Sequence, residues 1–316
     1  MKDLKKVLVT GSSGYVASDL IKRMIPDYEI FGIDMNPSEY TNIQLCIGDK
    51  SLNKYLKKDN FKFEYVINLA AARFDFGASP SEYFELNVKS HEKFLNSINS
   101  CHIKKFIHVS SVAALDGRNI TYSEDLECDD AYRVTKYLQE TIIQEWCDKN
   151  NIELTVLYPS AIFSDDPRSD TNIGKLQSIS KIIPIIPKIE VVKSLTYLPN
   201  FSQFIIDLIG NKITSGKYLT IEQPSLNVSN IIKIVSGRSI NIVKIPFLKA
   251  ILKTLANFMH IIGFFGKIDM KLTPNRVVKL FKNTSYAHID PKDIDISRYR
   301  AQSHETLPKI LAKYKK

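Results

Sequence analysis

A tyrosine and a lysine one helical turn apart are the residues of this chain best suited to proton chemistry. Tyr132 and Lys136 lie in the sequence Ala-Tyr-Arg-Val-Thr-Lys, and side chains at positions i and i+4 project from the same face of a helix. A free phenol titrates near pH ~10, and a neighbouring ammonium group favours the phenolate. The spacing therefore predicts an acid/base pair, with the Lys136 ammonium next to the Tyr132 phenol. The alternative is a half-buried helix tyrosine without a chemical role.

A serine upstream of this pair supplies a third polar group. Ser111 follows the apolar run Phe106–Ser110, which predicts a β-strand. A hydroxyl at the end of a strand can hydrogen-bond a reacting oxygen and hold it within attack distance. We therefore expect Ser111, Tyr132 and Lys136 to act together. The alternative for Ser111 is a hydroxyl that the backbone satisfies.

A glycine-containing loop near the start of the chain is typical of dinucleotide binding. The predicted strand Val7–Thr10 runs into Gly11-Ser-Ser-Gly14-Tyr-Val-Ala17, after which an apolar helix begins. Gly11 permits a tight turn, and Gly14 lets backbone amides approach a pyrophosphate at the helix N-terminus. A strand before the loop and a helix after it are the context that this fingerprint requires. The expected contacts of the loop are Gly11, Ser13, Gly14, Tyr15 and Val16.

An aspartate at the end of the second predicted strand completes the cofactor pattern. Asp34 closes the run Phe-Gly-Ile-Asp, about 20 residues after the loop, where a carboxylate binds the adenosine ribose hydroxyls and repels a 2′-phosphate. No arginine or lysine follows it before Lys50. The cofactor is therefore predicted to be NAD rather than NADP. The alternative is an aspartate that caps a turn or a helix.

Strands and helices alternate through the first half of the chain. Strands are predicted at Lys6–Thr10, Glu29–Ile33, Ile43–Ile47, Tyr65–Ala70, Phe106–Ser110 and Leu154–Tyr158. Helices are predicted near Val16–Met24, Ser81–Ile98 and Ala131–Lys149. This alternation predicts an α/β fold with a Rossmann-like, doubly wound parallel sheet, which binds ligands at the carboxyl ends of its strands.

The pattern changes after Pro159, where loops lengthen and prolines interrupt short apolar runs. Helices are predicted near Phe201–Ile209 and Leu226–Ser236, followed by an apolar segment and a polar, basic tail. We predict an NAD-binding domain at residues 1–165 that also receives parts of residues 190–225. Residues 166–316 are predicted to be mainly a smaller α/β cap that binds the substrate.

The motifs occur in the order found in a known family. With its glycine loop, Asp34, Ser111, Tyr132 and Lys136, the chain resembles the extended short-chain dehydrogenase/reductases, and more narrowly the NAD-dependent epimerase/dehydratase group that acts on nucleotide sugars. The resemblance implies that Ser111, Tyr132 and Lys136 are catalytic and that Tyr132 and Lys136 also contact NAD. It implies further cofactor contacts at Asp49, Lys50, Leu69, Ala70, Ala71, Asn87, Tyr158, Pro159 and Ser160.

Several positions depart from the family pattern. Val112-Ala113 stand where 4,6-dehydratases carry Asp-Glu, which argues against water elimination. Asn68 replaces a usual histidine, Tyr158 a usual arginine and Ser164 a usual glycine. The family's Arg-x-Gly-Asp segment for the substrate diphosphate is not evident, and the choice among Arg276, Lys279 and Lys282 stays open.

The resemblance implies hydride transfer at C4 of a nucleotide-linked sugar, and three functions remain open. A 4-epimerase, slightly preferred, keeps its NAD and returns hydride to the opposite face. A 4-keto reductase or hydroxysteroid-type dehydrogenase exchanges NAD(P)H at each turnover. A noncatalytic NAD-binding sensor or scaffold would not need all of Ser111, Tyr132 and Lys136. A homodimer and a role in polysaccharide biosynthesis are also implied.

Composition limits the partners and the compartment. The net charge is +9, but basic residues are spread along the chain, which fits an anionic small substrate better than nucleic acid. Four scattered cysteines without CxxC spacing predict reduced thiols and no metal site. The N-terminal residues show no apolar signal segment, and we expect a cytoplasmic protein.

The most apolar stretch of the chain is Ile245–Phe265. Lys249, Lys253 and His260 interrupt it, so it falls short of the ~20 apolar residues of a membrane-spanning helix. Its helical periodicity predicts packing in a core or between subunits. A peripheral contact with a membrane is the alternative left open.

Overall fold

The protein is described by a computed structural model that covers most of the chain. The described residues are 4–58, 62–72, 78–98, 102–165, 172–238, 240–266, 277–278, 280–286, 297–298 and 306–312. The chain divides into two compact units. The first comprises Met1–Ser160, Leu198–Ile221 and Asp290–Gln302, and the second comprises Ala161–Tyr197, Glu222–Ile289 and Ser303–Lys316.

The strands within the described residues are short. In chain order they are β1 Lys5–Thr10, β2 Tyr28–Asp34, β3 Ile43–Gln44, β4 Tyr65–Asn68, β5 Lys105–Val109, β6 Glu153–Pro159, β7 Ala161–Phe163, β8 Ile186–Pro187, β9 Val192–Lys193, β10 Leu195–Tyr197, β11 Lys217–Thr220, β12 Leu226–Asn227, β13 Ile242–Val243 and β14 Ser297–Arg298.

The helices of the same residues vary widely in length. In chain order they are α1 Tyr15–Met24, α2 Leu52–Lys58, α3 Pro80–Phe84, α4 Ser90–Ser97, α5 Val112–Gly117, α6 Cys128–Lys149, α7 Asn172–Ile182, α8 Leu198–Ile209, α9 Val228–Ser236, α10 Leu248–Gly266 and α11 Leu307–Ala312. A π-helical turn at Glu85–Lys89 joins α3 to α4.

The first unit is built on an eight-stranded sheet in the order β14-β11-β6-β5-β4-β1-β2-β3. All its strand pairs are parallel. The order 3-2-1-4-5-6 within it is that of a Rossmann fold, whose ligands bind where the order reverses, between β1 and β4. The predicted α/β, Rossmann-like parallel sheet is confirmed.

Helices cover both faces of this sheet because its central strands are apolar on both sides. Val7, Leu8 and Val9 of β1 are all 0% exposed. One face packs against α2, α4 and α6 in a single apolar cluster. On α1, residues spaced three to four apart are buried, namely Ala17, Leu20, Ile21 and Met24, and α8 packs beside α1.

The described residues of the second unit form three two-stranded sheets. Strand β7 pairs with β10 and β8 with β13 in parallel, whereas β9 pairs with β12 antiparallel. One of its apolar clusters joins β7, β10, α9 and α11. The assignment of NAD binding to residues 1–165 and of substrate binding to residues 166–316 stays a prediction.

The helices differ from the sequence prediction in three respects. Helices α2, α5 and α7 were not predicted. The segment Ser81–Ile98 was predicted as one helix, but the π-helical turn interrupts it. The tail predicted to be polar contains α11, whose Leu307, Ile310 and Leu311 are 0% exposed. A six-residue helix among lysines gives too weak a periodic signal to be read from sequence.

Helix α10 confirms the helical periodicity of the Ile245–Phe265 segment. Among the residues that the structure describes, no helix has the length and apolarity to cross a lipid bilayer.

Candidate active site

The loop after β1 has a backbone that only glycine adopts without strain. Gly11 has φ +72°, and a Cβ at this position would lie 2.9 Å from the Ala70 backbone nitrogen. The Gly11 amide donates to the Ile33 carbonyl at 2.8 Å. The loop is therefore held between the ends of β2 and β4, at the switch point of the sheet.

Helix α1 begins directly after this loop, with Gly14 as its N-cap. Among the described residues, no side chain caps its first turn and no acidic residue lies there. The positive end of α1 is thus not neutralised by its own first turn, which suits a bound pyrophosphate. The backbone of this loop fits the phosphates of a dinucleotide.

A change at Gly11 tests this geometry. We expect Gly11→Ala to lower the free energy of unfolding by about 1–3 kcal/mol, because alanine is strained at this φ and its Cβ would meet the Ala70 backbone. Urea-induced unfolding measures the loss. Gly216→Ala is the matched control, since the Cβ nearest approach there is an ordinary 3.7 Å to the Tyr218 ring. Equal stability of Gly11→Ala and wild type would contradict the strained loop.

Asp34 lies against the same loop. Its carboxylate accepts hydrogen bonds from the backbone amides of Ser13 at 3.1 Å and Asn36 at 2.8 Å. The side chain is half-buried, and its Oδ2 is held at the glycine loop by the bond from Ser13. This position fits the ribose contact predicted for Asp34.

Asp49 and Lys50 lie farther along the rim, between β3 and α2. Both side chains are exposed. The Asp49 carboxylate accepts hydrogen bonds from the Ser51 hydroxyl at 2.6 Å and the Ser51 amide at 2.8 Å. These bonds hold the pKa of Asp49 below its usual value, so it is ionised at neutral pH. The cofactor contacts predicted for Asp49 and Lys50 would form at this exposed edge.

The segment after β4 carries the predicted residues Leu69, Ala70 and Ala71. Asn87, in the π-helical turn, is fully buried and accepts a hydrogen bond from the Ala72 amide at 2.7 Å. Its amide nitrogen also donates to the Thr135 hydroxyl on α6 at 3.3 Å. Asn87 therefore joins the segment to α6 and positions it beside the glycine loop.

Ser111 is the N-cap of α5, at the carboxyl end of β5. Its hydroxyl oxygen accepts a hydrogen bond from the Ala113 amide at 3.2 Å. The Ser111 hydroxyl is thus hydrogen-bonded to the backbone, which is the alternative that the sequence raised. This bond occupies only a lone pair of the hydroxyl oxygen. The hydroxyl proton is left to be donated to a ligand oxygen.

Tyr132 lies in the second turn of α6 with a half-buried side chain. Its ring packs against Tyr83 at 5.9 Å between centroids, with 61° between the planes. Within the part of the chain that the structure describes, its hydroxyl has no hydrogen-bond partner.

Lys136 differs from the sequence prediction in where its ammonium points. The side chain is 1% exposed, and Nζ donates to the Val109 carbonyl at 3.3 Å and to Gln139 Oε1 at 2.5 Å. Among described contacts, no hydrogen bond joins it to Tyr132. Buried acceptors at the end of β5 and on α6 therefore hold the ammonium, and it makes no direct bond to the Tyr132 hydroxyl within the described residues.

Burial changes the proton affinity of this lysine. Desolvation lowers the pKa of the Lys136 ammonium to about 7, and the nearby Glu140 carboxylate opposes that shift. Lys136 therefore carries a titrating charge at neutral pH, close to the carboxyl ends of the strands. Such a shifted pKa in a buried group is typical of catalytic sites.

A buried glutamine that the sequence did not reveal organises this region. Gln139, 0% exposed, accepts from Lys136 through Oε1, while its Nε2 donates to the Ala70 carbonyl at 3.1 Å. The same Nε2 lies 2.6 Å from His91 Nε2. Because the amide donates at this contact, His91 accepts and is neutral. Burial, with a contribution from the Lys136 charge, lowers the pKa of His91 to about 3.

Removing this amide should be costly. We expect Gln139→Leu to lower the free energy of unfolding by about 3 kcal/mol or more, since it leaves several buried polar groups without a partner at about 1–3 kcal/mol each. Gln144→Leu is the control on the same helix, because Gln144 bonds only Asp148 in an exposed pair. Chemical denaturation compares the two, and an equal effect of both changes would contradict the role given to Gln139.

A second buried polar cluster, centred on the carboxylate of Glu140, lies next to Gln139 on α6. Glu140 accepts hydrogen bonds from the hydroxyls of Tyr158 at 2.5 Å and Ser110 at 3.3 Å, and from Lys217 Nζ at 3.2 Å. Burial and this carboxylate raise the pKa of the Tyr158 phenol. The Tyr158 hydroxyl is engaged in the interior by Glu140. The cofactor contact predicted for Tyr158, Pro159 and Ser160 would therefore have to be made by other atoms of these residues, at the carboxyl end of β6.

The candidates for the substrate diphosphate lie in the second unit. Arg276 and Lys279 are outside the described residues. Lys282 is exposed, and its carbonyl accepts a hydrogen bond from the Lys193 ammonium. Burial lowers the pKa of Lys193 to about 8. None of the described residues forms a group of three or more metal-ligating side chains.

Comparison with known proteins gives consistent matches. A profile described as the NAD dependent epimerase/dehydratase family matches residues 7–200. A curated relative, N-acetyl-alpha-D-glucosaminyl-diphospho-ditrans,octacis-undecaprenol 4-epimerase of Escherichia coli O157:H7, is 28% identical over 232 residues, which cover 72% of this chain and 70% of the relative.

Solved structures share the fold at low sequence identity. UDP-glucuronic acid 4-epimerase from Bacillus cereus, in complex with NAD, superimposes with a TM-score of 0.60 at 19% identity, covering 76% of this chain and 85% of that one. UDP-N-acetylglucosamine 4-epimerase from Methanobrevibacter ruminantium M1, in complex with UDP-N-acetylmuramic acid, gives 0.61 at 20% identity, covering 89% and 97%.

Proposed function

The chain belongs to the NAD dependent epimerase/dehydratase family, and we propose that it is an NAD-dependent epimerase that inverts C4 of a diphosphate-linked sugar. The observation that carries the proposal is the placement of Ser111, Tyr132 and Lys136. They lie at the end of β5 and on α6, and Lys136 is joined through Gln139 to Ala70 beside the glycine loop. The curated 4-epimerase relative supports reaction at C4.

The cofactor would be held by the residues predicted for it. The N-terminal end of α1, with Gly11, Ser13, Gly14, Tyr15 and Val16 around it, would bind the pyrophosphate, and Asp34 would bind the adenosine ribose. The segment Leu69–Ala71 and the end of β6 would line the nicotinamide half. When bound, NAD supplies a hydride acceptor that takes hydride from C4 and returns it to the opposite face.

The residues of the chain manage the proton that accompanies the hydride. Tyr132 Oη takes the proton of the hydroxyl group on C4 as the C4–H bond of the sugar breaks, so a C4 ketone forms. The Ser111 hydroxyl donates to the reacting oxygen and fixes its position. Tyr132 then returns the proton to the oxygen of the inverted alcohol.

Lys136 acts through its charge. Its ammonium, fixed on Val109 and Gln139, lies in a low-dielectric interior, where its positive charge would stabilise developing negative charge more strongly than it would in water. In the complex the same ammonium would bind the hydroxyls of the cofactor ribose. Both roles need the protonated form.

Water elimination is disfavoured for this chain. It would need acid and base groups at the start of α5, where Val112 is buried and Ala113 has no functional group. The ketone is therefore kept and reduced again rather than dehydrated. This distinction separates the proposal from the dehydratase members of the family.

A panel of substrates tests the reaction. UDP-, dTDP- and GDP-sugars and a polyprenyl diphosphate sugar are incubated with the enzyme without added cofactor, and products are identified by NMR. We expect a C4 epimer from one substrate class and NAD(H) in the absorbance spectrum of the purified protein. Turnover only with added NAD(P)H and a 4-keto sugar would show a reductase instead.

We also propose that the protein is a homodimer in the cytoplasm. Helices α4 and α6, in the predicted segments Ser81–Ile98 and Ala131–Lys149, would pack against their mates. Light scattering during size-exclusion chromatography gives the mass in solution, and a monomer would contradict the dimer.

A further inference from the structure

Helix α10 uses one side to pack within its own unit. Leu248 contacts an apolar cluster that includes Ile186, Val228 and Ile232, and Ala256, two turns later, is 0% exposed. This side accounts for the core packing that the sequence predicts. A helix anchored in this way normally turns polar or charged residues to the solvent.

Part of the exposed surface at α10 is instead apolar. Phe247 is 84% exposed, Ile251 52%, Leu255 45% and Phe258 62%. Ile251, Leu255 and Phe258 are spaced four and three apart and so lie on one face of the helix, and Phe247 directly precedes the helix; we call these four residues the α10 stripe. Just upstream, Ile242 and Val243 are also exposed. A group of large apolar side chains exposed within a short segment is typical of an interaction site.

The surroundings of the stripe are basic. No aspartate or glutamate occurs between Glu222 and Asp269, whereas lysines and an arginine recur through this segment. Lys244, Lys249 and Lys253 are exposed. Lys249 and Lys253 lie one turn apart on the polar side of the helix, where long side chains can reach toward headgroups.

This charge pattern selects among the possible occupants. A two-fold contact with a second copy would place the same acid-free, basic face against itself, with no carboxylate from the segment to pair its lysines. An anionic bilayer supplies both an apolar interior and negative headgroups, and an apolar face with nearby lysines is the pattern of a helix lying in the interface.

We propose that the α10 stripe docks on an anionic membrane surface, with the helix in the plane of the interface and the exposed lysines toward the headgroups. The inference does not depend on the reaction proposed above. If the two hold together, the enzyme works at a surface where lipid-linked sugars are held.

The test is co-sedimentation of the full-length protein with vesicles. Neutral phosphatidylcholine vesicles are compared with vesicles in which roughly one third of the lipid is phosphatidylglycerol. We expect binding to the anionic vesicles and weak binding to neutral ones. F247S/F258S should lose binding to both. The control I25S/Y55S removes two apolar side chains that are each 51% exposed in the first unit and should bind like wild type.

A second pair of variants tests the charges. K249Q/K253Q should weaken binding to anionic vesicles about 25-fold, since each lysine near such a surface contributes about 5-fold. K54Q/K62Q is the control with the same loss of charge at two exposed lysines elsewhere. Wild-type protein left in the supernatant with both vesicles would overturn the proposal. Normal vesicle binding by F247S/F258S would also overturn it. A third contrary result would be a wild-type dimer that does not bind vesicles and that F247S/F258S converts to a monomer.

Discussion

Tyr132→Phe is expected to lower turnover by about 100- to 10,000-fold, the usual contribution of a positioned acid/base group. The change removes only the hydroxyl, and the ring keeps its packing against Tyr83. NAD content and stability should therefore stay near wild type. Epimerisation rate per enzyme-bound NAD is the quantity to measure.

The chain offers a matched control for this variant. Tyr137 lies on the same helix, also half-buried, and Tyr137→Phe should leave turnover unchanged. Turnover of Tyr132→Phe near that of wild type would remove Tyr132 from the mechanism, whatever the NAD content.

Lys136→Met is expected to lower turnover by at least about 100-fold and to reduce NAD retention, because it removes the buried charge at the carboxyl end of β5 and the predicted ribose contact. Methionine has a similar length and no charge to desolvate. Turnover and NAD content, measured together, separate this variant from Tyr132→Phe, which should keep its NAD.

The same variant makes a prediction about pH and stability. The folded-state pKa of Lys136, about 7, lies below its ordinary value of 10.5, so between these values the unfolded chain binds more protons. Stability from this group is then lost as pH falls toward 7 and gained as pH rises. The difference in unfolding free energy, wild type minus Lys136→Met, should rise by about 1.4 kcal/mol per pH unit above about pH 7.

Urea unfolding of the cofactor-stripped proteins between about pH 7 and about pH 9 measures this slope. Other titrating groups largely cancel in the difference because both proteins contain them. A difference independent of pH would mean that Lys136 keeps its ordinary pKa and that its burial is not as described.

The sequence predicted the parts of the site that depend on local pattern. The glycine loop, Asp34 and the strand-end Ser111 each follow from a residue type at a fixed place relative to a strand, and the structure has those strands. The predicted family and the Rossmann-like parallel sheet are confirmed. The catalytic and cofactor roles of the individual residues stay predictions.

What the sequence did not predict depends on contacts between distant segments. Gln139 and Ala70 are 69 residues apart, and nothing in either segment indicates that their groups meet. The direction of the Lys136 ammonium follows from that meeting, since Gln139 offers a buried acceptor. A polar residue three positions after Lys136, on the inward side of an amphipathic helix, was the one local signal for it.

The outward face of α10 was ambiguous for a related reason. Periodicity shows that a helix is apolar around much of its circumference, but not which part its own unit covers. Leu248 and Ala256 are covered, and Phe247 and Phe258 are not. The exposure of Phe247 and Phe258 in the folded chain therefore makes the membrane contact, left open by the sequence, a testable proposal.

The most direct measurement of the central claim is the fate of the C4 hydrogen during epimerisation in D₂O without added NAD. Hydride held on an enzyme-bound cofactor does not exchange with solvent. We therefore predict that the product has an inverted C4 that keeps its protium, as measured by NMR. Deuterium at C4, or loss of water instead of inversion, would contradict the proposed reaction.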